Sequence, residues 1–156
     1  MSGRNLLGWL FFFCAGVWLQ HLYPGLDFLL PGVLVSLGEG RVVQTLCVSA
    51  ACVLIQEGLG TLDFGAAILW YLSVTLVFLL GRYFFRITNI LFAILVAAAS
   101  GVAHFGITQL MCMLQQHSAS LETLGNESLE QALALIVTWK IFAFLRHQVM
   151  SHAHSS

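Results

Sequence analysis

Six apolar runs, separated by short polar or glycine-bearing segments, follow one another along the chain. Four of them are long enough to cross a bilayer as helices, since a crossing takes about 17 to 25 apolar residues, and the second and third are shorter. The pattern predicts an all-α, polytopic transmembrane helix bundle. The six predicted helices cover residues 6–22, 26–37, 42–55, 64–80, 87–113 and 129–145.

The composition agrees with a membrane protein. The chain has 156 residues, of which 59% are hydrophobic and 8% charged, and its mean hydropathy is +0.90. By length it is a single domain, which we assign to residues 1–146, followed by a flexible cytoplasmic tail at 147–156. With only six Lys and Arg residues, the chain lacks the basic surface that a nucleic acid partner requires. The lipid bilayer is the first partner that the sequence implies.

The turn after the third run is the most polar internal feature near the middle of the chain. Gln56 and Glu57 follow an apolar segment, and Gly58 and Gly60 then favour the end of a helix. Asp63 lies just before the next apolar run, where the N-cap of a helix is expected. Glu57, Gly58, Gly60 and Asp63 are therefore predicted to form an extracytoplasmic turn and a contact site for a partner domain.

The second and third runs allow two arrangements. They are two short crossings, or one re-entrant hairpin that enters from the outer side and is covered by other helices. The hairpin would leave Arg41, which lies between the two runs, inside the membrane. We therefore expect two crossings.

The distribution of charges predicts the orientation. With six crossings and a cytoplasmic N-terminus, every Lys and Arg falls on or near the cytoplasmic side, as short loops require. Glu39 is then the only acidic residue on that side. Both termini are expected in the cytoplasm, with the other acids opposite: Asp27, Glu57, Asp63, Glu122, Glu127 and Glu130.

Inside the predicted helices, His104 is the main candidate for chemistry. It lies in the fifth run with Ser100 and Thr108 four residues to either side, so the three form a polar stripe on one face. A neutral histidine bonded to a neighbouring helix is the favoured interpretation. The sequence contains no Ser-His-Asp set, zinc-ligand spacing, phosphate loop or paired intramembrane carboxylates. It therefore predicts no catalytic residues, no metal site, no cofactor and no enzymatic activity.

The fifth run also carries small residues at a helical spacing. Ala93, Ala97 and Gly101 recur every four residues, a register that lets helices approach closely. These three are predicted to form a helix-packing face, either within the chain or with a partner.

From Leu30 onward the order of features resembles the MreD family of rod shape-determining membrane proteins. The resemblance covers about two-thirds of the chain and consists of a Pro that opens the second helix, a glycine-bearing turn after the third and a cationic loop. It is carried by Leu30-Pro31-Gly32, Ser49 to Cys52, Gln56 to Gly58, Phe64 to Leu69, Tyr71-Leu72 and Gly81 to Arg86.

The resemblance implies a non-enzymatic component of the cell-shape and elongation machinery, which makes peptidoglycan, in a bacterial inner membrane. An MreC-like protein would be its partner. MreD proteins are similar in fold to the substrate-binding subunits of energy-coupling factor transporters, so a small-molecule-binding subunit is the alternative. Such a subunit would need convergent polar groups at the outer helix ends, for which the sequence offers Gln20, His21, Gln56, Glu57, Asp63 and Gln109.

Overall fold

The computed structural model describes residues 3–59, 65–87, 89–114 and 120–151. All regular secondary structure in these ranges is α-helical. The helices are α1 (Gly3–Leu22), α2 (Leu30–Glu39), α3 (Val42–Leu59), α4 (Ala66–Phe84), α5 (Ile90–Leu114) and α6 (Leu121–Ser151). The prediction of six helices in an all-α bundle is confirmed, although several of their ends differ.

Four helices are long and apolar enough to cross a membrane, and two apolar helices, α2 and most of α3, are shorter. Large apolar side chains cover the outside of the bundle: Phe11, Val43, Val102 and Phe144 are each more than 60% exposed. Apolar exposure of this kind on every side is unfavourable in water and favourable in lipid. By the length, composition and surface of its helices, the chain is a membrane protein.

The sixth helix begins earlier than the apolar pattern predicted. Residues 121–128 were expected in a hydrophilic loop, but α6 starts at Leu121. Ser120 caps it, because its Oγ accepts a hydrogen bond from the Thr123 amide at 3.1 Å, and Glu122 adds negative charge to the first turn. The helix also continues to Ser151, so the first five residues of the predicted tail are helical.

The short helix α2 lies at the centre of the bundle. Residues 30–36 are all buried, and the helix packs against α3, α4 and α6. Pro31 is in its first turn, where no backbone N–H is needed. Gly40 ends it in the left-handed conformation, with φ of +69°. With ten residues, α2 is about 15 Å long, roughly half the thickness of a bilayer core.

Glycines let α1 and α6 approach their neighbours. A Cβ on Gly16 would overlap Leu29, and a Cβ on Gly32 would overlap the ring of Phe12. A Cβ on Gly101 would lie 3.1 Å from the Ser128 carbonyl oxygen on α6. These contacts bring α1 onto α2 and α5 onto α6, which places the polar side chains of different helices within reach of one another.

Successive helices run in opposite directions, so each end of the bundle collects its own polar residues. At one end, Glu39, the last residue of α2, is bonded to Gln44 and Arg146. Asn5 is bonded to both of these residues. At the opposite end, Gln20 and Gln56 meet Asp27, which precedes α2. We call these two groups the Arg146 cluster and the Asp27 cluster.

Candidate functional site: the Asp27 cavity

The Asp27 carboxylate is the centre of the most extensive hydrogen-bond network in the described part of the chain. It lies in the connection between α1 and α2, and the residue is 9% exposed. Its Oδ1 accepts bonds from the amides of Leu29 at 2.9 Å and Leu30 at 3.1 Å. These bonds satisfy donors at the start of α2. The sequence predicted that α2 would start at residue 26. These two hydrogen bonds explain why it begins at Leu30 instead.

Two aromatic residues of α4 hold the same carboxylate. Trp70 donates its indole N–H to Oδ2 at 2.8 Å, and Tyr71 donates its hydroxyl to Oδ1 at 3.1 Å. Burial raises the pKa of the Asp27 carboxyl, and the hydrogen bonds that it accepts oppose that rise. All of these partners are donors, which is the arrangement that an ionised carboxylate requires.

Gln20 of α1 and Gln131 of α6 bond to Asp27, and Gln56 of α3 bonds to Gln20. Gln20 donates to Gln56 Oε1 at 2.9 Å and, more weakly, to Asp27 Oδ1 at 3.4 Å. Gln131, which is 1% exposed, accepts a bond from the Asp27 amide at 2.8 Å. Asp27 therefore joins helices α1, α2, α4 and α6 at one point.

Glu57 joins α3 to α4. Its carboxylate accepts bonds from the amides of Gly65, at 3.0 and 3.1 Å, and Ala67, at 3.1 Å. The sequence suggested a solvated turn residue at Glu57. In the structure it caps α4 from the end of α3, a role that the sequence assigned to Asp63. Asp63 and Gly60 lie outside the described residues.

His104 faces this end of the bundle from α5. Its Nδ1 lies 3.2 Å from Ser128 Oγ on α6, which agrees with the predicted bond to a neighbouring helix. Ser128 Oγ donates its own hydrogen to the Leu124 carbonyl at 2.7 Å, so it accepts from the histidine. In the neutral ring, this geometry places the proton on Nδ1 and leaves Nε2 as an acceptor.

A cavity of about 690 Å³ opens beside Asp27, within the range typical of small-molecule sites. It lies at the connection between α1 and α2, since Pro24, Gly25, Leu26 and Asp27 line it, and no residue of α2 is among its described lining residues. Its wall includes polar side chains from α1, α3 and α5 and two tryptophans, together with Asp27 itself. Among these lining residues are Trp18, Gln20, His21, Gln56, Glu57, Trp70, His104 and Thr108.

The Arg146 cluster at the other end is closed by an ion pair. Arg146, 6% exposed, binds both carboxylate oxygens of Glu39, at 2.5 and 3.1 Å, and donates to Asn5 Oδ1 at 2.5 Å. Gln44 donates to Glu39 at 2.6 Å. The guanidinium also lies 4.6 Å from the centre of the Trp9 ring, a cation–π distance. Glu39, the one acid that the charge distribution placed on the predicted cytoplasmic side, is thus paired with Arg146.

The other predicted site residues lie as follows. Ala93, Ala97 and Gly101 are buried on α5, where Gly101 contacts α6 within the chain. Gly58 is an exposed residue of the last turn of α3. Of the polar groups that the sequence offered for a ligand, Gln20, His21, Gln56 and Glu57 come together in the cavity wall. Contact of any of these residues with a partner protein remains a prediction.

Sequence reasoning placed Asp27 only among the outer acids, and it did not assign a site role to Trp70, Tyr71 or Gln131 or pair Arg146 with Glu39. Asp27 could have been found, because it is a lone acid in an apolar stretch and stands shortly before Pro31, where a helix cap is expected. The partners from α4 and α6 carry no such signal, since a tryptophan or glutamine in an apolar run shows no preferred neighbour.

Compared with known proteins, the chain matches no family model, no curated protein and no solved structure. Among the described residues, no group of three or more His, Cys, Asp or Glu side chains is placed to hold a metal ion. The functional argument therefore depends on the Asp27 cavity and on the residues that build it.

Proposed function

We propose that this protein is a non-enzymatic integral component of the cell-shape and elongation machinery, which makes peptidoglycan, in a bacterial inner membrane. One observation carries the proposal. Three of the stretches that resemble the MreD family contribute to the Asp27 end of the bundle: the Leu30 amide and the Tyr71 hydroxyl donate to Asp27, and Glu57 caps α4.

The use of the two carboxylates supports a scaffold over a catalyst. Asp27 binds backbone amides and aromatic side chains of its own chain, and Glu57 binds the start of α4. Groups with these partners fix the relative positions of helices. A rigid, polar helix end is a suitable surface for an extracytoplasmic domain of an MreC-like partner, which would contact Glu57, Gly58, Gly60 and Asp63.

Depletion of the protein in a rod-shaped host tests this function. We expect rods to become round as the protein is lost, and affinity purification in mild detergent to recover an MreC-like protein. Re-expression of the native chain should restore rods, and so should Gly106→Leu, a control variant whose added side chain meets open space. Rods that keep their shape after depletion, together with no recovered MreC-like partner, would refute the proposal.

The same proposal places both termini in the cytoplasm. Reporter fusions after Ser151 and within the segment between α3 and α4 should give opposite compartments. A reporter that finds both positions on one side of the membrane would contradict six crossings.

The cavity favours a second function, that of a small-molecule-binding subunit of an energy-coupling factor type transporter. Its volume of about 690 Å³ and its several polar groups from different helices fit a ligand of ordinary metabolite size. Purification under native conditions separates the two functions. Recovery of ATPase subunits with a retained small molecule would support the transporter, and recovery of an MreC-like protein without them would support the scaffold.

A further inference from the structure

We propose that the Asp27 cavity is a binding site for a small protonated amine. This deepens the second function above, and it does not depend on the first. Two carboxylates line the cavity, from Asp27 and Glu57, and no Lys or Arg is found among its described lining residues. Ionised carboxylates in a partly enclosed space attract a cation.

The neutral polar groups of the wall also favour a donor. Gln56 Oε1 accepts a single described bond, from the Gln20 amide nitrogen at 2.9 Å, and its second lone pair is left for a donor. His104 has its proton on Nδ1, so its Nε2 is an acceptor. On Asp27, Oδ2 accepts a single described bond, from Trp70. Each of these atoms would be satisfied by an N–H of the ligand.

Aromatic rings supply the remaining recognition. Trp18 and Trp70 line the cavity, and Trp70 lies edge-to-face with His104, with 5.3 Å between ring centres. Tryptophan is the side chain that best stabilises an organic cation through its ring. A ligand with a charged amine and an apolar body therefore matches the wall better than a sugar, a phosphate or a carboxylate does.

Calorimetric titration of the full chain in mild detergent tests the proposal with three related compounds, and protein-free micelles supply the background. Benzylamine is protonated at pH 7, benzyltrimethylammonium has the charge without N–H donors, and benzyl alcohol is a neutral analogue. We expect saturable binding of benzylamine at one site. The affinity should fall from benzylamine to benzyltrimethylammonium to benzyl alcohol. Benzyl alcohol should bind at least about tenfold more weakly than benzylamine, the ratio expected from one charge-assisted hydrogen bond.

Two variants locate the site. Glu57→Gln removes a charge and keeps an oxygen that can accept the α4 amides, and it should weaken benzylamine about tenfold. Glu122→Gln removes a charge from an exposed position at the start of α6 and should leave affinity unchanged. Should Glu57→Gln lose helical structure by circular dichroism, Trp18→Leu, at a position that is 69% exposed, replaces it and should weaken binding several-fold.

Equal affinities for benzylamine and benzyl alcohol would overturn the proposal. So would an absence of saturable amine binding, or unchanged affinity in a folded cavity variant. None of these results bears on the scaffold function, which the depletion experiment tests separately.

Discussion

The two ends of the bundle hold their buried carboxylates in different ways. At one end Glu39 is neutralised by Arg146, and the pair is completed by Asn5 and Gln44. At the other end Asp27 has neutral donors as its partners, and it lines an open cavity. Both acids tie several helices together, but the Glu39 carboxylate has a cationic partner, whereas the described partners of Asp27 are all neutral.

This difference indicates where binding is to be expected. A buried ion pair with satisfied hydrogen bonds stabilises one arrangement of the helices. A carboxylate held by neutral donors keeps its attraction for a cation while its position is fixed. The Arg146 end is therefore interpreted as structural and the Asp27 end as the functional one.

The largest expected effect comes from breaking the ion pair. Arg146→Met leaves Glu39 buried without its cation, which we expect to lower the free energy of unfolding by about 4 kcal/mol. Unfolding by dodecyl sulfate in mixed micelles, followed by circular dichroism, measures it. Adding Glu39→Gln should restore part of the loss. Arg86→Met, at an exposed position, should change stability by less than about 0.5 kcal/mol. Similar losses for Arg146→Met and Arg86→Met would contradict the structural role.

Removing the charge of Asp27 should cost less. In Asp27→Asn an amide nitrogen takes the place of Oδ2, because Oδ1 accepts from several donors, so Trp70 loses its bond, at about 2 kcal/mol. The same unfolding assay measures this loss. Trp70→Phe should then cost less in the Asp27→Asn variant than in the native chain, since the indole donor is already unpaired. Strictly additive losses would show that the two side chains do not interact.

The approach of α5 to α6 supports the Asp27 end, because it brings His104 to Ser128. Gly101→Leu inserts a side chain where a Cβ already meets Ser128 and Ala132, and we expect a loss of about 2 kcal/mol from overpacking. Gly106→Leu on the same helix is the matched control, with open space around it. Thermal unfolding of the two variants compares them. Equal melting temperatures would mean that α5 and α6 do not pack closely at Gly101.

The smallest effect is expected at Glu57. Glu57→Ala removes the cap of α4 and should lower stability by about 1 kcal/mol, whereas Glu57→Gln keeps an acceptor and should stay within about 0.5 kcal/mol. Unfolding of both in dodecyl sulfate gives the comparison. A loss in Glu57→Gln as large as that in Glu57→Ala would show that charge, rather than hydrogen bonding, holds the start of α4.

Much of the fold follows from local sequence. The apolar runs predicted six helices because burial in lipid requires long apolar segments, and Pro31 and Gly40 mark the two ends of α2. The early start of α6 was missed because its first two turns are polar. A prediction from apolar runs alone does not detect polar turns of a helix. The capping residue Ser120, followed by Glu122, was the signal that could have located it.

The candidate site was only partly predictable. Gln56 and Glu57 were recognised as polar residues at a helix end and His104 as a polar residue inside a helix, since such residues are conspicuous in an apolar chain. Their partners were not, because a hydrogen bond such as that between Trp70 and Asp27 spans 43 residues of sequence. Nothing local distinguishes a tryptophan that packs in lipid from one that holds a buried acid.

By itself, then, the sequence determined an all-α membrane protein with six helices and a segregation of charge between two ends, because hydropathy and charge are properties of single residues and their spacing. Tertiary structure alone decided which acid is neutralised and which lines a cavity. That outcome depends on the close contacts at Gly16, Gly32 and Gly101, which set the distances between side chains of different helices.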